Sequence, residues 1–300
     1  RPRQDRDTGR VDVTDVRLKR TVRDYIYRYR HQSGKADGLD IFVQVARERA
    51  LIPEERYKEV FGVLPKPEEI DEASKMLKKH FVDVRLFGAL LPIRKKEEEV
   101  GAGIHLTGAV QFNMGQSLHA TEVKEISGTG GFAARPEAAQ KTFRREFIVP
   151  YALIGFYGVI NENVAVESGL TQQDVDLLME SLWEGTKTLH SRSKAFHHPR
   201  LLVRLDFKNQ NQIGYFLDQL RLTLKRRVED ERRAQEMIRS TQDYVLDIDP
   251  WLQLVEKKRR YLERVYCHMN SGIPLKGYPT SKALQKKLKE LTKKLEFVTD

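Results

Sequence analysis

Apolar and polar residues alternate most sharply over 106–114, where Val110, Phe112 and Met114 fall on one side and Ala109, Gln111 and Asn113 on the other. A period of two over such a run predicts a half-buried strand. Residues 151–160 are apolar on both faces, as a central strand would be. Between the two runs lie about 30 residues with no period of their own, among them Ser127, Gly128, Gly130, Gly131 and Phe132. Connections that long in a compact domain are functional or disordered, and this one reads as a functional arm.

Upstream, Leu18, Val22, Tyr25, Ile26 and Tyr29 recur at helical spacing and predict an amphipathic helix over 15–30, with Thr14 as its N-cap. Asp15 suits the positive end of that helix dipole, and Arg28 and Arg30 suit the negative end. Residues 31–105 read as a helical insertion. Within it, 39–42 is a short strand or the head of a helix, and 53–61 and 68–81 are helices divided by Pro65 and Pro67. The pair Asp83 and Arg85 reads on its own as a surface ion pair. Downstream, a helix opens at Thr171 and runs through Trp183, which reads as core rather than as a stacking platform. Strands are predicted over 199–207 and 244–248, and helices over 217–227, 250–266 and 281–295, the last rich in lysine. The order of elements predicts an α+β fold of the ferredoxin-like kind, with helices over one face of a mostly antiparallel sheet.

Charge adds a partner class. The formal net charge is +10 and the sequence pI about 9.5. That surplus suits a nucleic acid or an anionic membrane, or else a solvated basic surface. Residues 1–30 hold ten arginines and lysines against five aspartates. The single cysteine, Cys267, excludes an internal disulfide framework and a Cys-based zinc site, and suits a reducing cytoplasm. No apolar run approaches the roughly 20 residues that span a bilayer. Glycine-rich nucleotide fingerprints, a P-loop lysine and a serine elbow are all missing from the sequence. His190, His197 and His198 have no acidic partner at metal-ligand spacing, and no two carboxylates form a recognisable acid–base pair. No catalytic residue, metal or cofactor is therefore expected.

A set of blocks in fixed order carries a resemblance. They are Arg1-Pro2-Arg3-Gln4-Asp5, Thr8-Gly9, Val13-Thr14-Asp15-Val16 and Leu18-Lys19-Arg20, then Asp83-Val84-Arg85-Leu86-Phe87-Gly88. Next come Gly108-Ala109-Val110-Gln111-Phe112 with Gly115-Gln116-Ser117, the run 151–157, and Ser191-Arg192-Ser193-Lys194 leading to Pro199-Arg200-Leu201-Leu202. Over most of 1–207 the chain resembles the Cas-seven family of CRISPR Cascade backbone subunits, in its type I-B and I-C branch of the RAMP superfamily.

The resemblance implies an RRM-like palm at 1–33, 106–118 and 149–224, a helical fingers insertion at 34–105, a thumb hairpin at 119–148, and a helical part of the palm at 225–300. It implies a non-catalytic, cytoplasmic subunit of an antiviral ribonucleoprotein. Such subunits polymerise head to tail along a CRISPR guide RNA, beside other Cascade subunits, and present the guide for pairing with target DNA. No membrane partner is implied. Implied RNA contacts are Arg1, Arg3, Arg17, Lys19, Arg20, Arg85, Gln116, Ser117, Lys187, Arg192 and Lys194, with Ile126, Phe132 and Arg135 on the thumb. Basic and acidic residues nearly cancel on the thumb, which favours a steric wedge over a phosphate clamp. Phe132 either acts as that wedge or packs on a neighbouring subunit. Family members carry a further palm strand and loop before the point matched by Arg1. Two alternatives stand beside this reading: a metal-dependent ribonuclease using Asp5, Asp7 or Asp12, and an RRM-like RNA-binding protein outside CRISPR.

Overall fold

The computed structural model describes residues 1–32, 38–46, 49–93, 103–129, 143–190, 197–208, 214, 217–225 and 229–300. The chain is mixed α+β and forms two compact units. One comprises Asp15–Asn113 and Gly158–His198; the other comprises Arg1–Thr14, Met114–Tyr157 and Pro199–Asp300.

The first unit is helix-rich. Helix α1, Asp15–Tyr25, continues into a π-helical turn, Ile26–Arg30. Val22, Tyr25 and Ile26 of the predicted stripe are buried, whereas Tyr29 is exposed. A π turn bonds i to i+5 instead of i+4, so it rotates the following residues off the stripe that a regular helix would continue. Helices α2 (Pro53–Phe61), α3 (Ile70–His80) and α4 (Val82–Phe87) follow, with a 3-10 turn at Pro67–Glu69 leading into α3. Helices α5 (Glu162–Ser168) and α6 (Gln172–Lys187) complete the unit. Thr171 caps α6 through a reciprocal pair with Asp174, which satisfies two otherwise orphaned N–H groups. Val22 and Ile26 of α1, Val82 and Leu86 of α4 and Leu178 of α6 share one core. A second core gathers Phe42, Tyr57, Leu77, Phe81 and Ile104. Trp183 is buried, as its helical spacing predicts.

The second unit carries most of the sheet structure. Arg3–Gln4, Val11–Val13, Gly115–Ser117 and Ile154–Gly155 form an antiparallel four-stranded sheet in that order. Lys124–Thr129 pairs with Phe143–Ile148 as a separate antiparallel ribbon. Helix α7 (Glu231–Glu236) precedes Tyr244–Asp247, which pairs with Arg221–Leu224, and helix α8 (Asp249–Lys257) comes next in sequence. Leu201–Phe207 runs antiparallel to Leu262–Met269, which runs parallel to Lys294–Thr299. The parallel pair is joined by α9, Ser281–Leu291. Trp251, Leu252 and Val255 of α8 pack with Val265, Cys267, Leu284 and Leu288 in the core of this unit.

Several sequence expectations change. The run 106–114 is not one strand: it divides between Gly103–Thr107 and Val110–Phe112, and a separate strand, Gly115–Ser117, follows it. The break sits at Gly108, where a Cβ would lie 2.3–2.4 Å from the Phe87 and Gly88 backbone. The run 151–160 likewise splits into Ile154–Gly155 and Gly158–Ile160, and Val159 is exposed. The chain passes from one unit to the other between Tyr157 and Gly158, so the run never forms one central strand. Where a helix is expected over 217–227, the described residues 217–225 hold a 3-10 turn and a strand. The helices predicted over 250–266 and 281–295 end at Lys257 and Leu291, and strands follow both. Leucine and lysine are good helix formers, but sheet pairing and burial override that preference here. Thr292 stops α9 by donating its hydroxyl to the Glu263 carbonyl at 3.1 Å.

Candidate nucleic-acid interface

The helix-rich unit holds a cleft of about 360 Å³ between α1 with its π turn and the end of α6. Arg17, Thr21 and Asp24 line one side with Tyr25, Arg28 and Tyr29, and Gly185, Thr188, Leu189 and His190 line the other. Gly185 permits the close approach of the two helices: a Cβ there would lie 3.0 Å from Tyr25 Cβ and 3.2 Å from the Thr21 carbonyl oxygen. Tyr25 donates its hydroxyl to Glu180 Oε1 at 2.5 Å, and Arg30 pairs with the same carboxylate. Burial and that carboxylate push the Tyr25 phenol up to about 12, so it stays a neutral donor. Past this anchored base the π turn presents Tyr27, Arg28, Tyr29 and Arg30 at the surface. Tyr27 stacks on His31 and Tyr29 leans on Tyr25, with ring centroids 5.7 and 5.2 Å apart. Alternating aromatic rings and guanidinium groups suit a single-stranded nucleic acid, since rings stack on bases and cations meet phosphates. Tyr27 and Arg28 are absent from the RNA contacts that the sequence implies. Their signal is the Tyr-Arg-Tyr-Arg order itself, which helical spacing hides because it assigns Tyr29 to the core.

The basic residues expected on α1 are largely engaged within the unit. Lys19 pairs with Asp15 at 3.0 Å and sits over the Phe87 ring, and Arg20 pairs with Asp24 at 2.5 Å. Arg17 lines the cleft. Arg85 is half-buried in a two-point pair with Asp174, at 2.9 Å (Nε–Oδ2) and 2.7 Å (Nη2–Oδ1), and also donates to the Lys78 carbonyl. Asp83 is wholly buried and takes Arg23 Nε at 2.7 Å plus the Phe42 and Val43 amides. The expected surface pair of Asp83 with Arg85 therefore does not exist, because each residue has a different partner inside the fold. Lys187 ends α6, 3.1 Å from Glu184. Arg192 and Lys194 lie outside the described residues.

In the second unit, Arg1 and Arg3 are exposed, and Arg1 lies over the Phe147 ring at 5.6 Å. The loop after them is tightly built. Asp5 accepts from the Asp7 and Thr8 amides, which holds its carboxyl below the usual range, and Gly9 turns at φ 67°. Gln116 bridges Arg10 and Asp12, accepting at 3.4 Å and donating at 3.2 Å. Ser117 is fully buried: it accepts from the Val11 amide and donates to the His119 carbonyl. Ile126 projects from the ribbon, about half exposed, opposite Glu146. Phe132 and Arg135 lie outside the described residues.

Residues 1–249 match the family model for CRISPR-associated protein Cas7. The chain belongs to the Cas7 family. A Cas7 relative from Haloferax volcanii, "CRISPR-associated protein Cas7", is 27% identical over 289 residues, covering 88% of this chain and 78% of that protein. Two solved structures are also similar to this Cas7-family chain. A chain of a "CRISPR RNA-guided surveillance complex, pre-nicking" is 15% identical at TM-score 0.44, covering 97% of this chain and 95% of its own. A chain of a "CRISPR RNA-guided surveillance complex" is 13% identical at TM-score 0.43, covering 96% and 91%. Among the described residues no helix is long and apolar enough to cross a membrane.

Proposed function

We propose that this chain is a non-catalytic backbone subunit of a type I Cascade complex, binding a CRISPR guide RNA and polymerising head to tail along it. In that assembly it presents the guide for pairing with target DNA, in the cytoplasm and beside other Cascade subunits. The observation that carries this reading is the Cas7 family match over residues 1–249. Backbone binding of this type reads shape and phosphates and leaves base edges free to pair. We assign the cleft at α1 and its π turn, with Arg17, Arg28 and Tyr29, to the guide. Arg1 and Arg3 form a second point of attachment, and Lys187, Arg192 and Lys194 extend the set from the segment after α6. The RRM-like palm, the fingers at 34–105 and the thumb at 119–148 follow the same reading. The Lys124–Thr129 and Phe143–Ile148 ribbon falls inside the thumb span, with Ile126 on its exposed side.

The ribonuclease alternative needs a carboxylate at the N-terminal loop that is free to act. Asp5 is held by two loop amides and Asp12 by Gln116, which favours the structural reading of both. The test is to purify the chain from its host, measure the ratio of absorbance at 260 to 280 nm, and sequence any bound RNA. RNA of uniform length with repeat-derived ends is the expected result, and RNA complementary to it should stay intact with added Mg²⁺ or Mn²⁺. A chain that is monomeric and RNA-free at low salt overturns the proposal, and metal-dependent cleavage lost on Asp5→Ala or Asp7→Ala replaces it with the nuclease.

A further inference from the structure

Seven of the ten net positive charges lie in residues 251–300, which hold twelve arginines and lysines against five acids. This segment follows the part matched by the family model. Its cations are concentrated in two places on neighbouring elements. Lys257, Lys258, Arg259 and Arg260 close α8 and form the 3-10 turn after it, with Arg260 seated over the Tyr261 ring at 4.5 Å. None of the four has a carboxylate within 4.0 Å among the described residues, unlike Lys19, Arg20, Arg23 and Arg85 in the other unit. Helix α9 buries Leu284, Leu288 and Leu291 and exposes Lys282, Lys286 and Lys289 on the opposite side. These lysines are spaced i, i+4 and i+7, so they form one stripe. Lys287, the neighbour of Lys286 but turned off that stripe, lies 3.8 Å from Glu256, the residue before Lys257, which brings α9 close to the 257–260 corner.

One or two cations at the end of α8 would serve its dipole. Four in succession repel one another; of the α9 stripe only Lys289, in the last turn, serves the helix dipole, and Lys282, in the first turn, opposes it. The geometry points to a phosphodiester-binding surface, formed by Lys257–Arg260 with Lys282, Lys286 and Lys289, that holds duplex DNA without sequence preference. A membrane is disfavoured because the apolar side chains of α8 (Trp251, Leu252 and Val255) are buried and leave nothing to insert. A single strand is disfavoured because the nearest ring, Tyr261, is half-covered by Arg260, so the patch has no open stacking platform. What remains is pure backbone electrostatics, and a duplex has the highest linear density of phosphates.

The proposal is separate from guide binding, and its test reads the two apart. Full-length Lys257→Gln/Lys258→Gln/Arg259→Gln/Arg260→Gln and Lys282→Gln/Lys286→Gln/Lys289→Gln chains are compared with the parent. All changed side chains except the half-buried Lys258 are exposed, and thermal melts confirm folding. The probe is a fluorescent 30-bp duplex unrelated to any bound RNA, titrated between 50 and 200 mM salt. Each set should weaken duplex binding by roughly tenfold or more at low salt and lower the log–log salt slope by about one for each phosphate no longer neutralised. The amount of co-purified RNA should not change. Unchanged duplex affinity and slope in both variants overturn the proposal. So does a parallel fall in co-purified RNA, which would assign the patch to the guide, or preferential binding of phosphatidylserine vesicles over the duplex.

Discussion

Asp83 shows how one side chain organises the helix-rich unit. Its carboxylate, at the start of α4, receives the Arg23 guanidinium from α1 and two amides of the 42–43 segment. Asp83→Ala would leave Arg23 buried without its counter-charge and two amides without an acceptor. The expected cost is about 3–5 kcal/mol, read as a lower urea midpoint at unchanged slope. Asp174 adds an acid sensitivity to the same unit. Burial by itself pushes its carboxyl up, but the Arg85 guanidinium and the Thr171 amide outweigh burial and hold it below the usual 3.8. A carboxyl depressed in the folded state contributes stability that is complete above the unfolded pKa and is lost as pH falls through the folded one. The urea midpoint should therefore drop as pH is lowered below about 4, and Asp174→Asn should be less stable at neutral pH with a shallower acid dependence. A parallel acid profile in the variant would assign the acid sensitivity to other carboxylates.

At the scale of elements, the π turn after α1 decides which residues meet solvent. It hides Ile26 in the core and releases Tyr27 to Arg30. Tyr29→Ala should weaken binding of single-stranded RNA by about 1–3 kcal/mol with little change in salt slope, because a stack carries no charge. Arg28→Gln should lower that slope by about one. Lys19→Ala should leave the slope unchanged, since Lys19 is already paired with Asp15. Measuring salt dependence for all three separates a guide-binding cleft from a merely packed one. A second element-level device is the bend at Gly88, whose φ is 82° and whose missing Cβ would sit 2.1 Å from the Leu106 carbonyl oxygen. Gly88→Ala combines that clash with a left-handed backbone. It should destabilise the chain by about 3 kcal/mol or more, with disruption of the pairing between Gly88–Pro92 and Gly103–Thr107 visible as faster amide exchange.

Across the whole molecule, charge follows the two kinds of work that chemistry allows it. In the helix-rich unit most cations near α1 neutralise carboxylates and hold helices together, and few remain for a ligand. In the last fifty residues the excess is largely uncompensated, so the chain's formal charge is a poor guide to where a guide strand is gripped. Helix positions were legible from periodicity: α2, α3 and α6 lie within a few residues of the predicted spans, because each carries a one-sided apolar stripe, and α2 and α6 also have a proline or threonine start. The family was legible too, since ordered short blocks survive where periodicity says nothing. The strands were less legible. The run 106–114 has the period of one strand, yet Gly108 must clear the Phe87–Gly88 backbone and the run divides. Residues 262–269 and 294–299 carry helix-forming leucine, lysine and glutamate, and only pairing with Leu201–Phe207 and with each other makes them strands. Charge, the one-sided helices and the family could be read from neighbours along the chain. Which arginine is free and which is locked, where a run of apolar residues breaks, and which tyrosines face solvent were decided by packing between distant segments, which no local pattern encodes.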